Sequence, residues 1–369
     1  MSPSSDAPVR LAVIGAGLIA QSVHLPHVTA ADSGFEVVVI ADLSERLAAD
    51  VAARFGVPQH TDDWRAALDA GVDAALVLTG SATHADIVLA ALERGLDVLL
   101  EKPMCVTPAD ADRIVDAADR SGRLVQVGYM RRSDGVAEHF DRALGEHGPV
   151  RFLRVETHEG PIDRFVAGYG IQRAQVSAPD REAFSELRRA QATEAIGTDD
   201  PELVELYLGV LLESAVHELG FLAGWFGAPT RIESARPLKS GSGVQFTATY
   251  GDLLLDYAFY TFDGLPRFRQ RIDAYTDAAL VTAAFDSPFI RDSPGWLEVT
   301  DVVDGRERTT QLALDREDGF RRQLRSFRAN VLSRTAPAVG PRQAREDIRT
   351  CIAVVDAIRS GSRVDIARP

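Results

Sequence analysis

The chain has 369 residues, 46% of them hydrophobic and 25% charged, a balance that suits a globular protein with material for two cores at about 150 residues per domain. Its formal net charge of −14 excludes a protein that binds through cationic contacts to phosphate, so neither nucleic acid nor an anionic membrane surface is an expected partner. Two cysteines, Cys105 and Cys351, lie far apart with no CxxC spacing, which excludes a disulfide framework and points to a reducing, cytoplasmic compartment. The opening MSPSSDAP reads as a short disordered tail rather than a signal peptide. No run is expected to reach the roughly 18 apolar residues of a membrane span.

Up to residue 128 the chain alternates short apolar runs (11–14, 37–40, 74–78, 98–100 and 124–127) with amphipathic stretches of helical length (44–55, 84–94 and 108–121). Continuous apolar runs suit strands buried on both faces of a parallel sheet, and the alternation suits a doubly wound α/β domain. The first domain is therefore set at 1–128 and the second at 129–369. After 128, a helix-like stretch (135–144) and Gly148-Pro149 lead into a strand at 150–157. Residues 159–200 are polar, with Gly and Pro breaks, and read as an insertion carrying a short helix near 180–193. Asp200 can cap and Pro201 can open a helix running to Phe226, which stops at Gly227-Ala228-Pro229. Strands follow at 244–250 and 253–260, joined by Gly251-Asp252, then at 267–275, 279–284, 295–300 and 308–312. Short connections make this sheet mainly antiparallel. Helices near 315–332 and 342–359 close the chain, and their packing back onto the first domain is left open.

The first strand runs into Gly15-Ala16-Gly17-Leu18-Ile19-Ala20, the spacing GxGxxA of a dinucleotide site. The first glycine allows the tight turn, the second lets backbone approach a pyrophosphate, and a helix amino terminus stands behind it. Alone the pattern is weak, because any α/β protein can carry a glycine turn. Its place after an apolar strand strengthens it, as does Asp42, about 25 positions past Gly17 and near the roughly 20 expected of an acid on the adenosine ribose. A carboxylate there accepts from a free 2′-hydroxyl and repels a 2′-phosphate, which favours NAD. Arg46, one helical turn on, keeps NADP open.

The 98–100 strand continues as Glu101-Lys102-Pro103. A residue before proline is pushed to extended geometry, so Lys102 is expected to emerge at the carboxyl edge of the sheet, where open α/β sheets bind ligands. An amine there can exchange a proton once burial lowers its pKa; without that context a solvated surface lysine is the plainer reading. In the long helix, Glu213 and His217 are four apart; Leu206, Val210, Ser214, His217 and Phe221 line one side, and Glu213 sits at its border. A carboxylate one turn from an imidazole can fix its tautomer and raise its basicity. For His217 alone a satisfied core histidine is an equal reading. Glu218 points about 100° away from His217 on a helix, and with one histidine in the group no metal is expected.

Together these residues resemble the glucose–fructose oxidoreductase and inositol dehydrogenase (Gfo/Idh/MocA) family. The resemblance covers essentially the whole chain and rests on GAGLIAQSVHLPHV (15–28), ADLSERL (41–47), LTGSATHADIVLAALERGLDVLLEKPM (78–104), VGYMRR (127–132) and ESAVHELGFLAGWFG (213–227). It implies an α/β fold: an N-terminal Rossmann domain followed by an α+β domain with a large open, mainly antiparallel sheet that often packs against another subunit, hence a homodimer or homotetramer. It implies that Gly15, Gly17, Leu18 and Ile19 hold the pyrophosphate, that Asp42 holds the adenosine ribose, and that Thr79, His84, Glu101 and Lys102 lie near the phosphates or the nicotinamide. It further implies that Lys102 and His217, with Glu213, form the catalytic group. Three departures stand out. Glu213 replaces the usual Asp, Gly220 stands where Asp is frequent, and Gly80 follows Thr79 where Pro is frequent.

The expected activity is reversible hydride transfer between NAD and a hydroxyl-bearing carbon of a sugar or cyclitol, with His217 and Lys102 handling the hydroxyl proton. Two rivals are an enzyme that retains NAD and uses transient oxidation for glycoside cleavage or elimination, and a non-catalytic NAD or sugar sensor. Tyr129 and Arg131, just past the last Rossmann strand, and His158, at the end of the next strand, are candidates for the substrate wall. Ordinary packing is the plainer alternative for each.

Overall fold

The computed structural model describes residues 7–174, 177–238, 242–265, 267–293, 295–312 and 314–366. Of the expected N-terminal tail, 1–6 lie outside the described residues. The chain forms two compact units, neither of them continuous: one takes the residues up to Tyr129 with Val166–Ala195 and Phe320–Arg345, and the other takes Met130–Phe165, Ile196–Gly319 and the chain from Glu346 on.

The first unit is built on six parallel strands: β1 (Val9–Ile14), β2 (Phe35–Ala41), β3 (Gln59–Thr61), β4 (Ala74–Val77), β5 (Asp97–Glu101) and β6 (Val125–Gly128), in the order β3-β2-β1-β4-β5-β6. All but β3 correspond to the apolar runs. β3 is three polar residues at the sheet edge, which no hydrophobic pattern announces. Leu11, Val13, Ile40, Leu76 and Leu99 form a core completed by Leu324, Phe327 and Val331 from the helix Gly319–Ser333. Ser44 caps the helix Glu45–Phe55 and Thr107 caps Pro108–Ser121, each by accepting a backbone N–H. The strand order reverses between β1 and β4, and such a switch point opens a crevice at the carboxyl ends of the strands.

In the second unit nine strands form one sheet: β7 (Val150–Glu159), β8 (Arg231–Pro237), β9 (Gly243–Tyr250), β10 (Leu253–Thr261), β11 (Arg269–Thr276), β12 (Ala279–Phe285), β13 (Trp296–Val303), β14 (Arg306–Leu312) and β15 (Val364–Asp365). Their order is β14-β13-β12-β11-β7-β10-β9-β8-β15, and every neighbouring pair is antiparallel except β7 with β10. The β9–β10 hairpin turns at Gly251-Asp252, with Gly251 at φ 65°. β8 and β15 were not legible because both are mostly polar and lie at one edge.

The helix Pro201–Phe226 corrects one expectation. It is long and apolar enough to cross a membrane by length and composition, but 78% of its most apolar stretch is buried inside the protein, as in the core helix of a globular unit. Its middle, Leu206–Ala215, winds as a π-helix. Bonds there run i→i+5, a winding that the sequence does not distinguish from an α-helix.

Gly15 has φ 100°, and a Cβ on it would stand 2.8 Å from the Leu78 backbone carbon and oxygen. Gly15→Ala should therefore destabilise the protein by about 1–3 kcal/mol through strain and overlap, seen as a lowered Tm. A Cβ on Gly17 would meet nothing within 4 Å, so Gly17→Ala should stay within about 0.5 kcal/mol of wild type in the same denaturation experiment.

Candidate active site

The carboxyl edge of the six-stranded sheet gathers several of the expected residues. The turn at Gly15 is held by its own N–H donating to Ala41 O (2.7 Å), while Leu78 N–H donates to Ile14 O (2.7 Å). Asp42, directly past β2, accepts from Ala16 N–H through Oδ2 (2.9 Å) and from Ser44 N–H through Oδ1 (3.0 Å). The carboxylate thus sits against the glycine turn. Leu18 begins the following helix, Ile19 packs against the core, and open space faces the Gly17 α-carbon. A tight glycine turn with open space at Gly17, a helix amino terminus and an adjacent acid fit the diphosphate and ribose of a dinucleotide.

Lys102 is half-buried, one residue past β5, and its bond to Pro103 is cis. Of the 40 Lys and Arg residues in the chain, two are lysine, Lys102 and Lys239. Arginine serves nearly everywhere a cation suffices, yet its guanidinium cannot give up a proton; position 102 carries an amine, which can.

Two neighbours of Lys102 make contacts within the protein. His84, expected near the cofactor, faces Pro103 O through Nδ1 and Thr79 O through Nε2, both at 2.9 Å. It staples the loop after β4 to the loop after β5. The Thr79 hydroxyl accepts from Thr83 Oγ1 (2.9 Å). Glu101, also expected at the cofactor, is 7% exposed. Its Oε1 lies 2.7 Å from His24 Nε2 and its Oε2 accepts from Lys102 N–H (3.1 Å).

The 159–200 insertion contributes directly to this edge. Gln21 Nε2 donates to Ala16 O and to Gln172 O, both at 2.8 Å, and Gln21 Oε1 accepts from Gln172 N–H (2.9 Å). Arg54 donates to Tyr169 O (2.7 Å) and Gly170 O (2.8 Å). The Phe184 ring lies over Gly80, and Gln191 Nε2 donates to Ala82 O (3.0 Å). The short helix expected near 180–193 is Ala178–Ile196.

In the second unit, Glu213 and His217 are both half-buried on the long helix, and Leu206, Val210, Ser214 and Phe221 are buried. Glu218, next to His217, has a buried role that its weighing as a metal ligand did not reveal. Its Oε1 accepts from Thr157 Oγ1 and Gln270 Nε2 (2.6 Å each), and its Oε2 accepts from Tyr257 OH (3.3 Å). Burial pushes its carboxyl pKa up, and the Thr157 and Gln270 hydrogen bonds pull it partly back. The available signal was an acid inside the mostly apolar second half of the long helix.

Thr157 points from β7 toward this helix, so its neighbour His158 projects from the opposite face of the sheet. There His158 Nδ1 meets Tyr260 OH (3.2 Å), which donates to Glu156 (2.7 Å). Burial pushes the Tyr260 hydroxyl up to about 12, assisted by its bond to Glu156, and burial lowers the His158 pKa against the opposing pull of Glu156. His158 therefore lies on the face of the sheet opposite Thr157 and its partner Glu218. Arg131 is engaged within its own unit. It is 4% exposed, donates to Asp286 O (2.7 Å), stands 4.0 Å from Asp134 and lies over the Phe285 ring at 4.5 Å, so it holds its own unit together. Tyr129, at the end of the first unit, is buried. Both cysteines are buried free thiols, and among the described residues no group of three His, Cys, Asp or Glu side chains is placed to hold a metal ion.

A parallel sheet in this order, with the glycine turn at its switch point and an acid beside it, defines a dinucleotide-binding protein. Residues 9–129 match the oxidoreductase family with NAD-binding Rossmann fold, Gfo/Idh/MocA. Inositol 2-dehydrogenase 2 of Saccharopolyspora erythraea is 41% identical over 318 residues, which cover 76% of this chain and 93% of that protein. Inositol 2-dehydrogenase 3 of the same organism is 42% identical over 127 residues, 34% of this chain; that match spans little more than a third of the relative, 37% of its length. The crystal structure of myo-inositol 2-dehydrogenase from Lactobacillus plantarum superposes with a TM-score of 0.70 at 16% identity, over 98% of this chain and 100% of that one. The chain belongs to the Gfo/Idh/MocA family and is an NAD(P)-binding oxidoreductase acting on CH–OH groups.

Because burial holds a proton on Glu218 to higher pH than in the unfolded chain, the folded state binds the extra proton. Stability attached to this group is therefore full at low pH and falls as pH rises above the ordinary glutamate range toward the raised folded value. Glu218→Gln should flatten that part of the Tm-against-pH curve, measured by thermal denaturation across a pH series.

Proposed function

We propose that the protein is an NAD-dependent dehydrogenase of a cyclitol or related polyol, oxidising a ring CH–OH to the ketone and running reversibly. The observation that carries this reading is that one edge of the six-stranded sheet collects the glycine turn, Asp42 and Lys102. The likeness to an inositol 2-dehydrogenase over 76% of this chain and 93% of that protein supports the substrate class. In this reading the first unit holds the cofactor: Gly15, Gly17, Leu18 and Ile19 take the diphosphate, and Asp42 takes the adenosine ribose, with Thr79 and Lys102 toward the nicotinamide end. Asp42 accepts from ribose hydroxyls and repels a 2′-phosphate, which supports NAD over NADP. Arg46, the residue that would welcome that phosphate, has a side chain 80% exposed and lies 3.7 Å from Asp50.

The bound nicotinamide supplies the hydride acceptor. The chain's own residues handle the proton: His217, assisted by Lys102, takes it from the substrate hydroxyl as the carbon is oxidised and returns it to the alkoxide in reverse, a contribution of about 10²–10⁴-fold. Glu213 orients His217, Tyr129 contributes to the substrate wall, and the enzyme works as a homodimer or homotetramer.

Purified protein with NAD and a panel led by myo-inositol should produce NADH absorbance. Lys102→Ala should lower turnover by about 10²-fold or more while NAD binding, followed by fluorescence, persists; wild-type turnover in that variant would defeat the proton assignment. Asp42→Ala should raise the KM for NAD by about tenfold or more, the loss expected of a charge-assisted hydrogen bond, and narrow the preference over NADP.

A further inference from the structure

The helix that leaves the glycine turn contains one π turn, Ala20–His24, and His24 at its end is fully buried. Single π turns inside α-helices gather at functional sites because the extra residue re-aims a side chain. Here the turn aims His24 at Glu101, with Nε2 and Oε1 2.7 Å apart. The other carboxylate oxygen accepts the Lys102 N–H at 3.1 Å. Each oxygen of Glu101 is thereby fixed by a different donor, one from the helix and one from the peptide that begins Lys102.

The surroundings are shaped for this arrangement. Glu101 pairs in register with Gly128 on β6, and a Cβ there would stand 3.3 Å from Glu101 Oε1. The Phe320 ring meets the His24 ring edge-on at 5.4 Å between centroids. The second ring nitrogen of His24 is buried with no hydrogen-bond partner among the described residues. An unpaired buried polar atom costs free energy, and an apolar residue would fill the same space without that cost. The imidazole is kept for its one bond to Glu101.

We propose that His24 is a positioning residue for the reaction: through the Glu101 carboxylate it holds the peptide that carries Lys102, and so fixes where the lysine amine points. The inference rests on the proposed role of Lys102 in proton transfer. His24 touches neither substrate nor cofactor in this account. Its effect is on turnover, not on dinucleotide affinity.

The chain has two lysines, Lys102 and Lys239, so reductive ¹³C-methylation gives one lysine NMR signal to watch and one internal reference, without any substrate. His24→Phe keeps the aromatic volume and removes the donor; His24→Gln keeps a donor. In folded His24→Phe the Lys102 signal should shift and its labelling rate should change severalfold against Lys239. With NAD and myo-inositol, kcat should fall by about tenfold or more while the KM for NAD stays within about twofold. His24→Gln should recover most of both. If His24→Phe does not fold, Glu101→Gln, with His24 intact, should show the same shift and the same loss in kcat. Wild-type Lys102 labelling and kcat in the Phe variant or in Glu101→Gln would overturn the proposal, as would equal impairment of Phe and Gln. Normal turnover by Lys102→Ala would instead defeat the reading beneath it, whatever the NMR shows.

Discussion

At Gly15 the chain passes so close to the backbone of Leu78 that no side chain can stand between them. Much of the candidate site depends on that approach. It sets the separation of β1 and β4 where the strand order reverses, and it fixes the direction in which the helix after the turn sets out. From that helix come Gln21, bonded back to the turn at Ala16, and His24, bonded across to the end of β5. Asp42 meets the same turn from the other side through Ala16 N–H. A glycine contact thus positions two acids and, through one of them, the peptide of the lysine.

Much of this could be read from the order of residues alone. Five of the six parallel strands are continuous apolar runs, and such runs have few other uses in a chain with capped helices between them. The glycine spacing, Asp42 and Lys102 were legible because each belongs to a short local motif. What escaped was set by contacts distant in sequence. β3, β8 and β15 are polar and take their form from a neighbour, not from their own pattern. His158 falls on the far face of its sheet because strand parity is counted from Thr157, whose partner Glu218 is 61 positions away. The π winding of Leu206–Ala215 escaped because a π-helix looks like an α-helix in sequence.

The departures from simple rules gather around a few residues. A carboxyl buried in an apolar helix, a buried imidazole with one unpaired nitrogen, a histidine held between two carbonyls and an arginine whose Nε has no partner among the described residues each cost something that apolar packing would avoid. Glu218 ties the long helix to three residues of the sheet beneath it, and Arg131 ties the start of its unit to the Phe285–Asp286 segment. These polar ties define which way the helix faces, a specificity that greasy contacts supply poorly.

The first unit is assembled from three separated stretches of chain, the last ending at Arg345. A ribosome delivers residues in order, so the sheet that comes out first must wait for Leu324, Phe327 and Val331 before its core is complete. Until then its apolar face stays uncovered in the nascent chain. Closure of such distant segments is slow and leaves the chain open to association with its neighbours. The newborn protein is therefore most in need of a chaperone during the long interval in which the second unit is being translated.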